Sequence, residues 1–167
     1  IAIGHGAITG VRSGMKPDDG TAALTGGGGK NSISIGTEAN ARGNSAIALG
    51  DGAIVMNDAS GSTDAEGRTI SKNGIAIGTN SKTVSENAMA IGAGATVNNA
   101  STGAAAIGND AHATKENALA IGTKATVDHA NALAIGTNAQ TKKDEAIAIG
   151  KDTQAAGDES IAMGSGT

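Results

Sequence analysis

No phenylalanine, tyrosine, tryptophan or cysteine occurs among the 167 residues, and proline occurs once. Aromatic side chains bury the most area per residue, so their complete absence speaks against an ordinary globular core. It also removes the rings on which nucleic-acid bases stack. The net charge is −4, from 12 basic and 16 acidic residues scattered along the chain, so nothing here attracts a phosphate backbone. Nucleic acid is therefore not expected as a partner. No apolar run reaches the roughly 18 residues a spanning helix needs, so no direct membrane insertion is expected. The lack of Cys removes a thiol nucleophile and fits any compartment. The chain opens in mid-motif at Ile1 with no signal-peptide pattern, and is expected to be a fragment of a longer protein.

What is present is glycine, at 27 positions, and a hydrophobic fraction of 38% that keeps strict phase. Disordered low-complexity chains do not hold their aliphatics in register. The signal is a bulky aliphatic, a small residue, a bulky aliphatic and Gly, as in Ile1-Ala2-Ile3-Gly4, Ile75-Ala76-Ile77-Gly78 and Ile147-Ala148-Ile149-Gly150. The motif glycines, from Gly4 to Gly164, are spaced by 32, 14, 28, 14, 16, 14, 14, 14 and 14 residues. A fixed short period means one small unit stacked many times.

Within the unit Asn117–Ala130, Ala118 to Ile121 alternate small and bulky, Gly122 and Thr123 follow, and Lys124 to Asp128 alternate polar and apolar. Both runs have the period of a strand, and each is expected to fill about five residues. Gly accepts the positive φ of a tight turn. Each 14-residue coil thus reads as strand, turn, strand, turn, giving an all-β, parallel β-roll solenoid of two back-to-back sheets. At a rise of about 4.8 Å per coil, ten motifs make a rod on the order of 45 Å long.

The second strand has small apolar residues at alternate sites, such as Ala39 and Ala41 or Ala125 and Val127, with polar neighbours such as Asn40 or Thr126. The first strand is apolar on both faces. One face is Ala or Ser. The other is Ile33, Ile35, Ile47, Leu49, Ile75, Ile77, Met89, Ile91, Ile107, Leu119, Ile121, Leu133, Ile135, Ile147, Ile149, Ile161 and Met163. A strand apolar on both faces needs cover on both. At roughly 1.5–3 kcal/mol per fully buried aliphatic, this stripe represents tens of kcal/mol, and soluble monomers rarely expose such a patch. A partner surface follows, most simply further copies of this chain. A tight coil favours Ala inside and the Ile column against the other copies; the reverse packing is the alternative.

Five residues before the motif glycine stand Asn31, Asn73, Asn87, Asn117 and Asn131. They read either as a stacked amide ladder or as a plain turn preference. The two long departures from period predict insertion loops at about 11–30 and 56–72 in a single domain spanning 1–167. The spacing of 28 leaves room for a degenerate coil, but Ala59 to Asp64 hold no aliphatic pair, so a loop is preferred. Such loops either carry recognition or are tolerated excursions.

Sites of chemistry are not evident. Gly26 to Lys30 lacks the Ser or Thr that a phosphate loop places after its Lys. Asp18-Asp19-Gly20 lacks the spaced carboxylates of a calcium loop. His5, His112 and His129 are not paired at metal spacing, and no carboxylate pair converges. No catalytic residue, metal or cofactor is expected. Regular Thr ranks, as an ice-binding face requires, fail because Asn40 and Gln140 share the position of Thr96 and Thr126.

Asn31-Ser32-Ile33-Ser34-Ile35-Gly36-Thr37-Glu38-Ala39 resembles the Asn-Ser-Val-Ala-Ile-Gly-x-x-Ser motif of YadA-like trimeric autotransporter adhesin heads, and Asn117 to Ala125 resembles it again. The resemblance implies a left-handed roll assembled as a parallel homotrimer with the aliphatic column as trimer core. It further implies a non-enzymatic adhesin on the bacterial cell surface, anchored in the outer membrane through regions absent here. Host surface or extracellular-matrix proteins, collagen-like ligands or autoaggregation are the implied partners. Candidate contact residues are Glu38, Arg42, Lys124, Asp128 and Lys142. Ile121 to Ala125 also resembles the hexapeptide repeat of left-handed β-helix acyltransferases, but their coils of about 18 residues are multiples of six and these are not. Such an enzyme, or a purely structural spacer in a surface fibre, are the alternatives.

Overall fold

The computed structural model describes residues 1–9, 31–56, 72–98 and 101–167. Among them there is no helix, and the strands form two parallel sheets of ten and nine strands. Consecutive strands alternate between the sheets, so each coil contributes one strand to each. The first strands pair rung on rung, with Leu119, Ala120 and Ile121 opposite Leu133, Ala134 and Ile135. The second strands do likewise, with Thr126 and Val127 opposite Gln140 and Thr141. The β-solenoid and its period of about 14 residues are as the repeat requires.

The ladders are shorter than expected. First strands such as Leu119–Ile121 hold three residues and second strands such as Thr126–Val127 hold two. The corners use the rest of the coil. Each corner contains left-handed residues: the motif glycine at φ near +130°, a residue two later such as Lys124 at +58°, and one five before it such as Asn117 at +52°. At Gly122 the backbone has φ +129°, and a Cβ there would lie 2.5 Å from the carbonyl oxygen of Gly136. Close stacking of glycine backbones therefore fixes the residue type at this corner.

Register is kept across every departure from 14. Ile3 pairs with Ile35, Leu49 with Ile77, and Ile91 with Ile107. No extra rung stands between Ile47 and Ile75, which settles the spacing of 28 against a hidden coil. In each departure the extra residues lie between a second strand and the next first strand: between Thr9 and Ile33, Val55 and Ile75, and Val97 and Ala105. Apart from Met56 and Lys72, the expected loops at 11–30 and 56–72 lie outside the described residues.

Among the described residues the interior is mostly alanine. Ala48, Ala76, Ala90, Ala106, Ala120, Ala134 and Ala148 of the first strands are fully buried against Ala53, Ala95, Ala111, Ala125 and Ala139. The bulkiest fully buried side chains are Val55, Val97 and Val127. A core this narrow has no room for an aromatic ring, which gives the missing aromatics a physical reason. Polar residues interrupt the apolar interior at Ser81 and Thr83, and again at Thr141 and Thr153. Ser81 and Thr153 donate to the carbonyls of Gly78 and Gly164. The hydroxyls of Ser34, Thr83 and Thr141 are buried without a partner.

Candidate functional site

A strand places alternate side chains on opposite faces. Here Ala or Ser takes the inner face of each first strand, so the bulky residues on either side of it must face outward. Ala120 has no exposed surface, whereas Leu119 and Ile121 on the same strand are half-exposed. The choice left open by the sequence is thereby decided: Ala lies inside the roll and the Ile/Leu/Met column outside it. The column is continuous, because the strict pairing puts Ile47 beside Ile75 and Leu133 beside Ile147. Neighbours along the column partly cover one another, so most members are half-buried rather than bare. Exposure rises at the ends, to 67% for Ile161 and 65% for Met163, where a rung has a neighbour on one side only. Ala105 stands in the column between Met89 and Leu119.

The outward column of the other sheet is mostly polar: Asn40, Lys82, Thr96, His112, Thr126, Gln140 and Gln154. Two half-exposed isoleucines, Ile8 and Ile54, flank Asn40 in the same column. The expectation of an entirely wet face therefore holds for the later coils and fails near these two.

The five candidate contact residues do not form one cluster. Glu38 and Lys124 sit at the glycine corner, both exposed and left-handed. Arg42, Asp128 and Lys142 follow the second strand, at the opposite edge of the polar sheet. There Arg42 Nε donates to Asn40 Oδ1 at 3.0 Å, and Lys142 Nζ donates to Gln140 Oε1 at 2.6 Å. Thr114 Oγ1 donates to Asp128 Oδ1 at 3.0 Å. His112 and Gln154 lie in the same outward column as Thr126 and Gln140, where the polar–apolar alternation of the second strand places them.

Both readings of the asparagine column hold at once. Asn73, Asn87, Asn117 and Asn131 all have positive φ near +53°. Asn73 Nδ2 donates to Asn87 Oδ1 at 2.9 Å, and Asn117 Nδ2 to Asn131 Oδ1 at 3.0 Å. The left-handed turn selects Asn, and its stacked amides then bond along the rod. Among the described residues no group of three or more His, Asp or Glu is arranged to hold a metal ion.

A family model described as YadA head domain repeat (2 copies) matches residues 28–53, 71–95, 100–125, 113–139, 130–152 and 142–167. These matches cover more than half of the chain and coincide with the regular coils. None of the curated proteins compared with the chain matches it.

Proposed function

The chain belongs to the YadA head-domain repeat family of adhesin heads, and we propose that it acts as a non-enzymatic adhesin head that assembles as a parallel homotrimer on a bacterial surface. The observation that carries this reading is the aliphatic column. Its sheet is already filled on the inner face by alanine, so among the described residues nothing covers the outer face. Copies packed column to column would remove that surface from water. The polar sheets would then face outward and display Glu38, Arg42, Lys124, Asp128 and Lys142 in threefold repetition. Linked copies convert weak single contacts into useful avidity. Host surface and matrix proteins, collagen-like chains among them, are the partners proposed, together with contact between heads on neighbouring cells. Anchorage to the outer membrane is assigned to regions of the full protein beyond this chain.

Sedimentation equilibrium tests the assembly, and binding of the purified head to a panel of matrix proteins tests the adhesion. A trimer that binds a matrix protein supports both. A trimer that neither binds the panel nor aggregates cells leaves a spacer role, and a stable folded monomer removes the basis of the reading.

A further inference from the structure

The apolar interior is not continuous along the rod. Among the described residues it falls into three blocks, from Ala41 to Ala76, from Ala88 to Ala139 and from Ala146 to Ala162. The first boundary is the coil of Ser81 and Thr83, where Gly74 also stands in the place that Ala46 and Ala88 fill in the neighbouring coils. The second lies at Thr141 and Thr153. Each boundary holds a buried hydroxyl without a partner. Thr83 Oγ1 sits in the inward column between Val55 and Val97, and Thr141 Oγ1 sits between Val127 and Ala155. The third such hydroxyl, on Ser34, lies at the outer margin of the first block, beside Ala48. The backbone is looser at the first boundary as well. Val84 N donates to the Val97 carbonyl at 3.3 Å, whereas the equivalent bonds from Arg42 to Val55, Asn98 to Ala113 and Thr114 to Val127 measure 3.0, 3.1 and 2.9 Å.

We propose that the roll is three cooperative units rather than one, and that the rungs of Thr83 and Thr141 are built-in joints at which adjoining blocks open independently. A coil in a solenoid touches only its neighbours, so stability is a sum of coil terms and interface terms, and a weak interface is not made good by contacts elsewhere. A buried hydroxyl that gives up water and gains no partner weakens the interface it occupies. Val and Ala at the same inward site in other coils carry no such cost. The inference concerns the single chain and does not rest on its assembly. The outward aliphatic column runs past both joints, with Ile75 beside Met89 and Leu133 beside Ile147, so cover from outside places no boundary at either. An opened block leaves the polar sheet of its neighbour in place, so the head yields in steps rather than all at once.

Native-state hydrogen exchange of the whole chain, resolved by residue, tests the joints. The amides of Met89, Ala105, Leu119 and Ile147 make the same rung-to-rung bond and are compared along the rod. Protection is expected to be level from Ala88 to Ala139 and to step at Thr83 and Thr141. Thr141→Val removes the hydroxyl and keeps the shape, and is expected to slow exchange at Ile147 and Gly150 about fivefold relative to Leu119. Thr141→Ala installs the residue that Ala113 and Ala155 present at the same site, and serves as a second variant should Val disturb the packing. Val127→Thr sets a hydroxyl inside the middle block and is expected to create a new step there. Protection that declines smoothly from the middle of the chain towards its ends, with no step at either rung, overturns the proposal. A step at Thr141 that survives both substitutions unchanged overturns it as well.

Discussion

The two sheets of the roll meet over the same alanine interior, but their outer faces diverge. Along one, Lys82, Thr96, His112, Thr126 and Gln140 point to solvent. Along the other, rung for rung, stand Ile75, Met89, Ala105, Leu119 and Leu133. The inner faces are constrained by size, since only Ala, Val, Ser and Thr fit. The outer faces are constrained by what they meet. A sheet that meets water takes polar residues, and the aliphatic residues kept in every coil of the other are what the proposed assembly would cover. The corners diverge in the same manner. The glycine corner is closed by backbone stacked on backbone, whereas the opposite corner accommodates all three departures from the period.

The sheet comparison breaks most completely at the aliphatic column. Ile121→Asp would set a carboxylate from each copy into an apolar contact, at several kcal/mol per uncompensated ion. Sedimentation is expected to show dispersed single chains, and retention of trimers would separate the column from assembly. Next is the corner comparison. Gly122→Ala forces a side chain into φ +129° against the Gly136 backbone. The backbone conformation alone costs on the order of 1–3 kcal/mol, read as a lower denaturant midpoint. Gly157→Ala, where φ is not positive and the nearest atom to a Cβ is Ser160 Cβ at 3.5 Å, should cost clearly less.

Inside the roll, Thr83→Val removes a buried hydroxyl without a partner and keeps the shape. It is expected to raise stability by about 1 kcal/mol, and a loss of that size would mean the hydroxyl is satisfied in solution. Smallest is the change on the polar sheet. Gln154→Lys, at an exposed outward site, should stay within about 0.5 kcal/mol and leave sedimentation unchanged. A dispersal of copies by this substitution would reverse the roles assigned to the two sheets.

Much of this was legible before any coordinates. The glycine spacing gave the coil, and two period-two runs per coil gave two parallel sheets. Strand length was overestimated because Lys124 does not look like a left-handed corner residue, although it adopts positive φ. The wet face was overgeneralised from coils like that of Thr126; Ile54 breaks it. Glu38 and Arg42 read as polar positions of one strand, yet the strand is only Asn40–Ala41 and the corners place them at its opposite edges. Charge is a local property of a residue, whereas a shared surface depends on where the turns place it.

By itself the sequence determined the repeat, the strand identity and the existence of an aliphatic stripe, because periodicity is encoded one residue at a time. Only the tertiary structure decided which face of the first strand lies inside. Alternation defines two faces without ranking them, and the ranking comes from how closely two stacked sheets approach. That approach admits Ala120 and turns Ile121 outward. It likewise decided that the spacing of 28 places no rung between Ile47 and Ile75, which only their direct pairing shows.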